Sequence, residues 1–191
     1  MKYIARPYQS QDDLYQIGKL IRRAYARHKG LNDLLQLRGY TRSNDSMIIR
    51  EKVLADTPPE TISLPPGYSI RVRDQAEWTS RFEAVQPAPL NVRGLHLNVL
   101  NDQDQIAAFC SVWLDRENNI AEFEPVGMLP QSQKQGLGAA LLAYACNHLR
   151  EMNCPRVTVA SWSESIGANK LYSACGLMEH VRLYNWKKDS T

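Results

Sequence analysis

Residues 122–142 read EFEPVGMLPQSQKQGLGAALL, and how this stretch is parsed decides the fold. Its first third alternates branched, aromatic and acidic residues as a strand does. Pro130 and the polar run after it make a turn, and the apolar spacing from Leu137 onward predicts a helix. Gly136 and Gly138 stand where the turn meets the helix, letting the backbone bend tightly and leaving bare the amides that a first helical turn cannot satisfy internally. Such amides, at the positive end of the helix dipole, favour phosphate oxygens. Two nucleotide-binding patterns fail here. A phosphate-binding loop of the GKS/GKT kind needs lysine and a hydroxyl after its last glycine, whereas Ala139 and Ala140 follow Gly138. A dinucleotide fingerprint needs a third glycine inside a parallel βαβ unit.

Working outward, YSIRV (68–72), LHLNVL (95–100), IAAFCSVWL (106–114) and IAEFEPVGM (120–128) are successive strand candidates. The short polar turns NDQD and DRENN between the later ones predict antiparallel neighbours. In the glycine-led helix, Leu137, Leu141, Ala145, Leu149 and Met152 form one apolar stripe. RVTVASW (156–162) is then a strand, ANKLYSAC (168–175) a helix ended by Gly176, and VRLYNWKK (181–188) a last strand. The order ββββαβαβ predicts an α+β fold on a mixed sheet rather than a doubly wound one.

The amino-terminal third reads differently. Apolar residues recur at helical spacing from Asp12 to His28, and a second amphipathic helix is expected over Ser46–Ala55. DTPPETISLPPG (56–67) then places four prolines in twelve residues, which neither a helix nor a central strand accepts. The boundary is expected there: a basic helical segment over 1–62, which is either a remnant of a first copy of the domain or the domain's own first strand and helices, and a main domain over 63–191. Residues 1–52 carry eleven Lys/Arg against five Asp/Glu, so the head is net +6 and the remainder net −3. Without interleaved aromatics this basic head reads as a solvated helix face, and nucleic acid is not an expected partner.

The motif VGMLPQSQKQGLGAALL resembles the acetyl-CoA signature of the GCN5-related N-acetyltransferases (GNAT), Gln/Arg-x-x-Gly-x-Gly/Ala between the family's fourth strand and third helix. Gln133, Gly136 and Gly138 match it residue by residue. The likeness continues through RVTVASW as the fifth strand and ANKLYSACGL as the Leu-Tyr and glycine segment, covering about residues 96–188. It implies a mostly antiparallel mixed sheet whose central strands splay, flanking helices, and acyl-CoA lying in the splay. It further implies that Met128, with Val126 or Leu129, offers backbone hydrogen bonds to the pantetheine arm, and that Gln133, Lys134, Gln135, Gly136, Leu137, Gly138 and Ala139 wrap the pyrophosphate. Where the family often has asparagine seven residues before its tyrosine this chain has Ser165; Asn169 is near but out of register. Both are carried as cofactor-side candidates.

Acetyl transfer to an amine needs a neutral nucleophile, and an alkyl amine of pKa ~10 is protonated at neutral pH, so a base is useful. Glu122 and Glu124 are two apart on one strand, which puts both side chains on one face, where like charges raise one pKa. Glu122 lies fourteen residues before Gly136, the register at which the histone-acetylating branch carries its glutamate base, and is ranked first; Glu124 is assigned ammonium binding or a water relay. Tyr172, directly after Leu171 and four before Gly176, matches the family's general acid for the departing thiolate. The resemblance thus implies an acetyl-CoA-dependent N-acetyltransferase acting on a primary amine in a ternary complex. The alternative is a noncatalytic acyl-CoA-binding sensor of the same fold.

Composition limits the rest. In 191 residues no apolar run approaches the ~20 that a membrane helix needs, and MKYIARPYQSQDD lacks a signal peptide's apolar stretch, so cytoplasmic residence is expected. Cys110, Cys146, Cys154 and Cys175 lack metal or disulfide spacing and read as reduced, mostly buried thiols. His28, His96, His148 and His180 fall on separate elements, so no metal is expected. Trp162 either lines the acceptor side or closes the core. A homodimer stays open, and the acceptor amine is not readable from these residues.

Overall fold

The computed structural model describes residues 31–55, 57–73 and 91–188. A short helix α1 (Leu31–Leu37) precedes strand β1 (Tyr40–Val53); then come β2 (Ser69–Arg73), β3 (Asn91–Leu100), β4 (Ile106–Asp115), β5 (Ile120–Met128), helix α2 (Leu137–Glu151), β6 (Arg156–Trp162), helix α3 (Ile166–Ala174) and β7 (Met178–Lys188). From residue 63 on, the described elements follow the expected ββββαβαβ order. All seven strands form one sheet, in the order β2-β3-β4-β5-β6-β1-β7.

The described residues fall into two compact units, one of 31–44 and 183–188, the other of those between 45 and 182. Within the described part of the first, the Arg42 guanidinium lies 4.4 Å from the centroid of the Tyr184 ring, and the Lys188 ammonium 5.6 Å from that of Tyr40. These are cation–π contacts between exposed cations and partly buried rings. The expected Asp12–His28 helix lies outside the described residues.

Ser46–Ala55 is not a helix. It belongs to β1, and Met47 to Val53 pair antiparallel with Trp162 to Arg156 of β6. Burial alternates as a strand requires, with Ser46, Ile48 and Arg50 buried between less covered neighbours. The run Met47-Ile48-Ile49 fits both periods, and the open edge of β6, which needs backbone partners, selects the strand. Among the described residues, the helix of this region is α1, between the two expected ones.

The core lies between one face of the sheet and α2. Leu95, Leu97, Val99, Cys110, Val112, Ala121, Phe123, Val157 and Val159 meet Leu137, Leu141, Leu142, Ala145 and Leu149, all fully or almost fully buried. Four members of the predicted helical stripe are among them. Met152 packs at the margin. Helix α3 ends as read: Gly176 takes φ +77°, Leu177 N–H reaches back to the Tyr172 carbonyl at 3.0 Å, and Gly176 N–H to Ser173 at 3.1 Å. Residues 57–68, which carry the prolines, have no regular structure and join β1 to β2. They are anchored, however. The Glu60 carboxylate accepts from Lys52 Nζ at 2.7 Å and from Arg150 Nη2 at 3.0 Å, while the Glu60 backbone exchanges two hydrogen bonds with the Asn147 amide at 2.7 and 2.9 Å.

Candidate functional site

The sheet opens at one place. β5 and β6 are parallel neighbours, but they pair only over Ala121–Phe123 and Val157–Val159. Beyond Phe123, β5 runs on to Met128 bonded to β4, and beyond Val159, β6 runs on to Trp162 bonded to β1. The two strands therefore fork, each held by its outer neighbour. In the fork the backbone of β5 has no strand on its inner side. Leu129 N–H donates to the Ala107 carbonyl at 2.9 Å, so by alternation the amides of Val126 and Met128 turn away from β4 towards the fork. Two residues offered as backbone donors in the sequence thus have their polar groups where an extended arm could use them.

At the mouth of the fork, a single turn of 3-10 helix (Pro130–Ser132) leads into the glycine turn. Lys134 and Gly136 both hold positive φ, +61° and +82°. Gly136 occupies the N-cap position of α2 with no side-chain cap, so the first amides of the helix receive no internal acceptor. Gly138 meets a different demand: a Cβ there would stand 2.8 Å from Met128 Cε and 2.9 Å from Leu171 Cδ2. It is where β5, α2 and α3 come together. Gln133, Lys134 and Gln135 are exposed, and Gln135 is fixed by the Tyr68 hydroxyl, which donates to its Oε1 at 3.1 Å.

The two carboxylates differ in cover and in pairing. Alternation along β5 holds through Phe123 and is then interrupted, because Cys110 pairs with Val126 while Val112 pairs with Phe123, leaving Glu124 and Pro125 together opposite Ser111. The bulge shifts the alternation from Val126 onward, so that Val126 and Met128 take up the core side held by Ala121 and Phe123, while Glu122 and Glu124 stay two apart ahead of the shift. Glu122 is half-buried within the paired part of β5, beside Thr158; Glu124 is exposed and is the first residue past the pairing. The indole N–H of Trp113 donates to the Glu124 carbonyl and pins the bulge. Tyr172, on α3, is buried in the core cluster. Its pKa is pushed up to about 12, chiefly by burial and further by Cys110 and the charge of Glu124, with Arg50 opposing. At neutral pH it is a phenol, able to donate a proton, and Glu124 is near enough for its charge to be felt there.

Ser165 stands at the N-cap of α3, yet its hydroxyl makes no capping bond. Asn169 ties the turn instead: its Oδ1 accepts from Ser161 Oγ at 2.8 Å, and its Nδ2 donates to the Trp162 and Ser163 carbonyls at 2.9 and 3.1 Å. Trp162 is 42% exposed at the open end of β6 and does not close the core. His96 lies well inside β3, buried, with Nδ1 3.1 Å from Ser111 Oγ, and burial holds its pKa below the ordinary imidazole range. The cysteines are free thiols, and burial pushes Cys146 up to about 11, which leaves it un-ionised and poorly nucleophilic. Among the described residues no group of three His, Cys, Asp or Glu could hold a metal, and no helix is long and apolar enough to cross a membrane. The sequence reading missed Arg50, Lys52, Tyr68, Trp113 and Arg150. None carries a local motif; only the sheet register and the run of 57–68 bring them to this region.

A family model described as the acetyltransferase (GNAT) family matches residues 63–177, more than half of the chain. Among solved structures, a GCN5-related N-acetyltransferase from Sphaerobacter thermophilus is similar, with a TM-score of 0.65 at 18% identity over 81% of this chain and 55% of that one. A tandem GNAT protein from the clavulanic acid biosynthesis pathway gives 0.64 at 19% identity over 82% and 57%, and a GCN5-related N-acetyltransferase from Kribbella flavida gives 0.61 at 18% over 95% and 77%. The chain thus spans little more than half the length of the first two. At these identities the structures show the fold alone. No curated protein matches the chain.

Proposed function

The chain belongs to the acetyltransferase (GNAT) family, and on that premise we propose that it is an acetyl-CoA-dependent N-acetyltransferase that transfers the acetyl group directly to a primary amine in a ternary complex. The observation that carries the proposal is the fork: a strand pair that ends at Phe123 and Val159, inward-turned amides at Val126 and Met128, and a glycine turn at its mouth. A thioester arm extended along β5 would be held by main-chain hydrogen bonds, and its pyrophosphate would meet the uncapped start of α2. No metal is invoked. Cytoplasmic residence is part of the same proposal and is supported by four cysteines left as free thiols.

In this reading the acyl carbonyl lies along β5 near Met128, whose amide stabilises the oxyanion as the amine attacks. The ammonium must first lose a proton. Of the two carboxylates Glu124 is the better placed, standing at the fork within electrostatic reach of Tyr172; this reverses the order read from sequence, with Glu122 one step behind it. Nitrogen–carbon bond formation leaves a cationic nitrogen, which sheds its second proton to solvent as the carbon–sulfur bond breaks; the departing thiolate takes its proton from Tyr172, which is reprotonated from solvent. A thiol-release assay with acetyl-CoA and a panel of primary amines, run beside calorimetry of acetyl-CoA binding, tests the proposal. Amine-dependent release of CoA is expected; binding with no release for any amine would leave only the sensor reading.

A further inference from the structure

We propose that the protein holds a second anion site, separate from the fork, in which Arg50 of β1 and Lys170 of α3 bind a phosphoryl group on the side of α3 turned away from α2. This inference does not depend on the acyl-CoA reading above.

The helical period gives α3 distinct sides. Leu171 points at α2, its Cδ2 lying 2.9 Å from where a Cβ on Gly138 would stand, and Tyr172 is in the core. Ile166, Asn169, Lys170 and Ser173, at i, i+3, i+4 and i+7, share another side. With Arg50 and Ser163 they line a cavity of about 410 Å³, within the ~300–1,000 Å³ typical of small-molecule sites.

Arg50 decides what the cavity is for. It is 6% exposed, and among the described residues its guanidinium makes one hydrogen bond, Nη1 donating to Ser161 Oγ at 3.3 Å, and no ion pair. A guanidinium carries five N–H donors and does not shed its charge, so most of its hydrogen-bonding capacity is left without a protein acceptor. Burying a cation in that state is costly, and an oxyanion in the cavity would meet both the charge and the donors. No carboxylate stands among the described residues of the lining. Glu179, close enough to feel the Arg50 charge, is held by Arg182 at 2.7 and 2.9 Å, and the Glu164 carboxylate accepts from the Ser163 hydroxyl at 3.2 Å.

The donors that remain select the ligand. Asn169 spends its Oδ1 on Ser161 and its Nδ2 on the Trp162 and Ser163 carbonyls, so it is wall and not donor. Arg50 from the sheet, and the exposed Lys170 ammonium and Ser173 hydroxyl from the helix, are left. Two cations match a dianion, and three donor groups match the three terminal oxygens of a phosphate monoester. A carboxylate brings one charge and two oxygens, which would leave one cation unmatched. Ile166, 65% exposed at the rim, offers apolar surface to whatever the phosphate is attached to.

The test is a titration of the ¹⁵N-labelled chain with inorganic phosphate and, at equal ionic strength, with acetate, followed by amide chemical shifts. Saturable shifts are expected at Ile166, Asn169, Lys170 and Ser173, with acetate binding about tenfold more weakly or worse, as the loss of a charge-assisted hydrogen bond implies. Arg50→Met, which keeps the buried stem and removes the charge, should abolish them and melt no lower than the wild type in phosphate-free buffer. Lys170→Glu, an exposed change that leaves folding intact, should abolish them too, while Arg116→Gln in the β4–β5 turn removes an exposed positive charge elsewhere and should leave them unchanged. Phosphate shifts confined to Gly136 to Ala139, shifts at α3 that survive either substitution in a folded protein, or acetate bound as tightly as phosphate overturn the inference. Shifts at the glycine turn bear on the acyl-CoA reading alone, so the two fail separately.

Discussion

At Gly136 the backbone holds φ +82°, and a Cβ built there would meet nothing within 4 Å. Replacing it by alanine therefore asks a single question, whether the left-handed conformation is needed, with steric crowding removed from the answer. Left-handed geometry costs an ordinary L-residue roughly 1–2 kcal/mol. Any glycine-to-alanine change also gains about 0.4–1 kcal/mol by restricting the unfolded chain. Gly167 supplies the reference, since a Cβ there is equally unobstructed and its φ is not positive. In the difference between Gly136→Ala and Gly167→Ala the unfolded-state gain cancels, leaving about 1–2 kcal/mol against Gly136→Ala. At about 2–4 °C per kcal/mol for a chain of this size, its melting temperature should lie some 2–8 °C below that of the reference variant. Thermal unfolding followed by circular dichroism under one buffer gives both values, and Gly136→Asn should fall between them because asparagine tolerates the left-handed region. If Gly136→Ala melts at or above Gly167→Ala, the turn does not need its positive φ, and the account of the exposed amides loses its geometric basis.

Gly138→Ala should be nearly neutral in stability, because the helix gain of about 1 kcal/mol is spent moving Met128 and Leu171 aside, yet it should raise the KM for acetyl-CoA several-fold in steady-state assays. Glu124→Gln should reduce turnover about 100-fold or more and Glu122→Gln less, both with acetyl-CoA affinity retained by calorimetry; the opposite order would restore Glu122 as the base. Tyr172→Phe should lower kcat by a similar factor, and in the wild type no loss of rate from Tyr172 ionisation should appear in a pH profile until the pH approaches about 12. Burial pushes the Glu60 carboxyl up, but hydrogen bonds from Lys52 and Arg150 outweigh it and hold it below the usual range. Its contribution to stability is thus present above the ordinary carboxylate pKa and lost as pH falls through the depressed value, so wild type and Glu60→Gln should differ in melting temperature near neutrality and converge in acid.

Strand and helix were readable where one period dominated. The glycine-led helix carried Leu137, Leu141, Ala145 and Leu149 on one stripe, and β5 and β6 were bounded by turn residues to the residue. Ser46–Ala55 was not, because a cluster such as Met47-Ile48-Ile49 satisfies a helix and a strand equally and the deciding partner, β6, lies more than a hundred residues away. The same holds for the site. Gly136 announced itself because its conformation restricts residue type locally. The bulge at Glu124 did not, since it exists only in the register of β5 against β4, where it turns Val126 and Met128 to the side held by Phe123. Lys52, Glu60 and Arg150 look like ordinary surface charges until segment 57–68 brings them together.

The fork itself depends on a segment outside the family-matched residues. β6 pairs with β5 over three residues but with β1 over seven, from Met47 to Val53. Where β6 leaves β5, its remaining backbone groups are satisfied by β1, and without that partner Ala160 to Trp162 would have every reason to close onto the free inner side of β5. The opening that would admit a thioester arm is therefore held apart by residues before the proline run. Those residues also deliver Lys52 to Glu60, the anchor of segment 57–68. β1 thus bears both on the width of the fork and on the anchoring of segment 57–68, and the proline run divides the sequence without dividing the sheet.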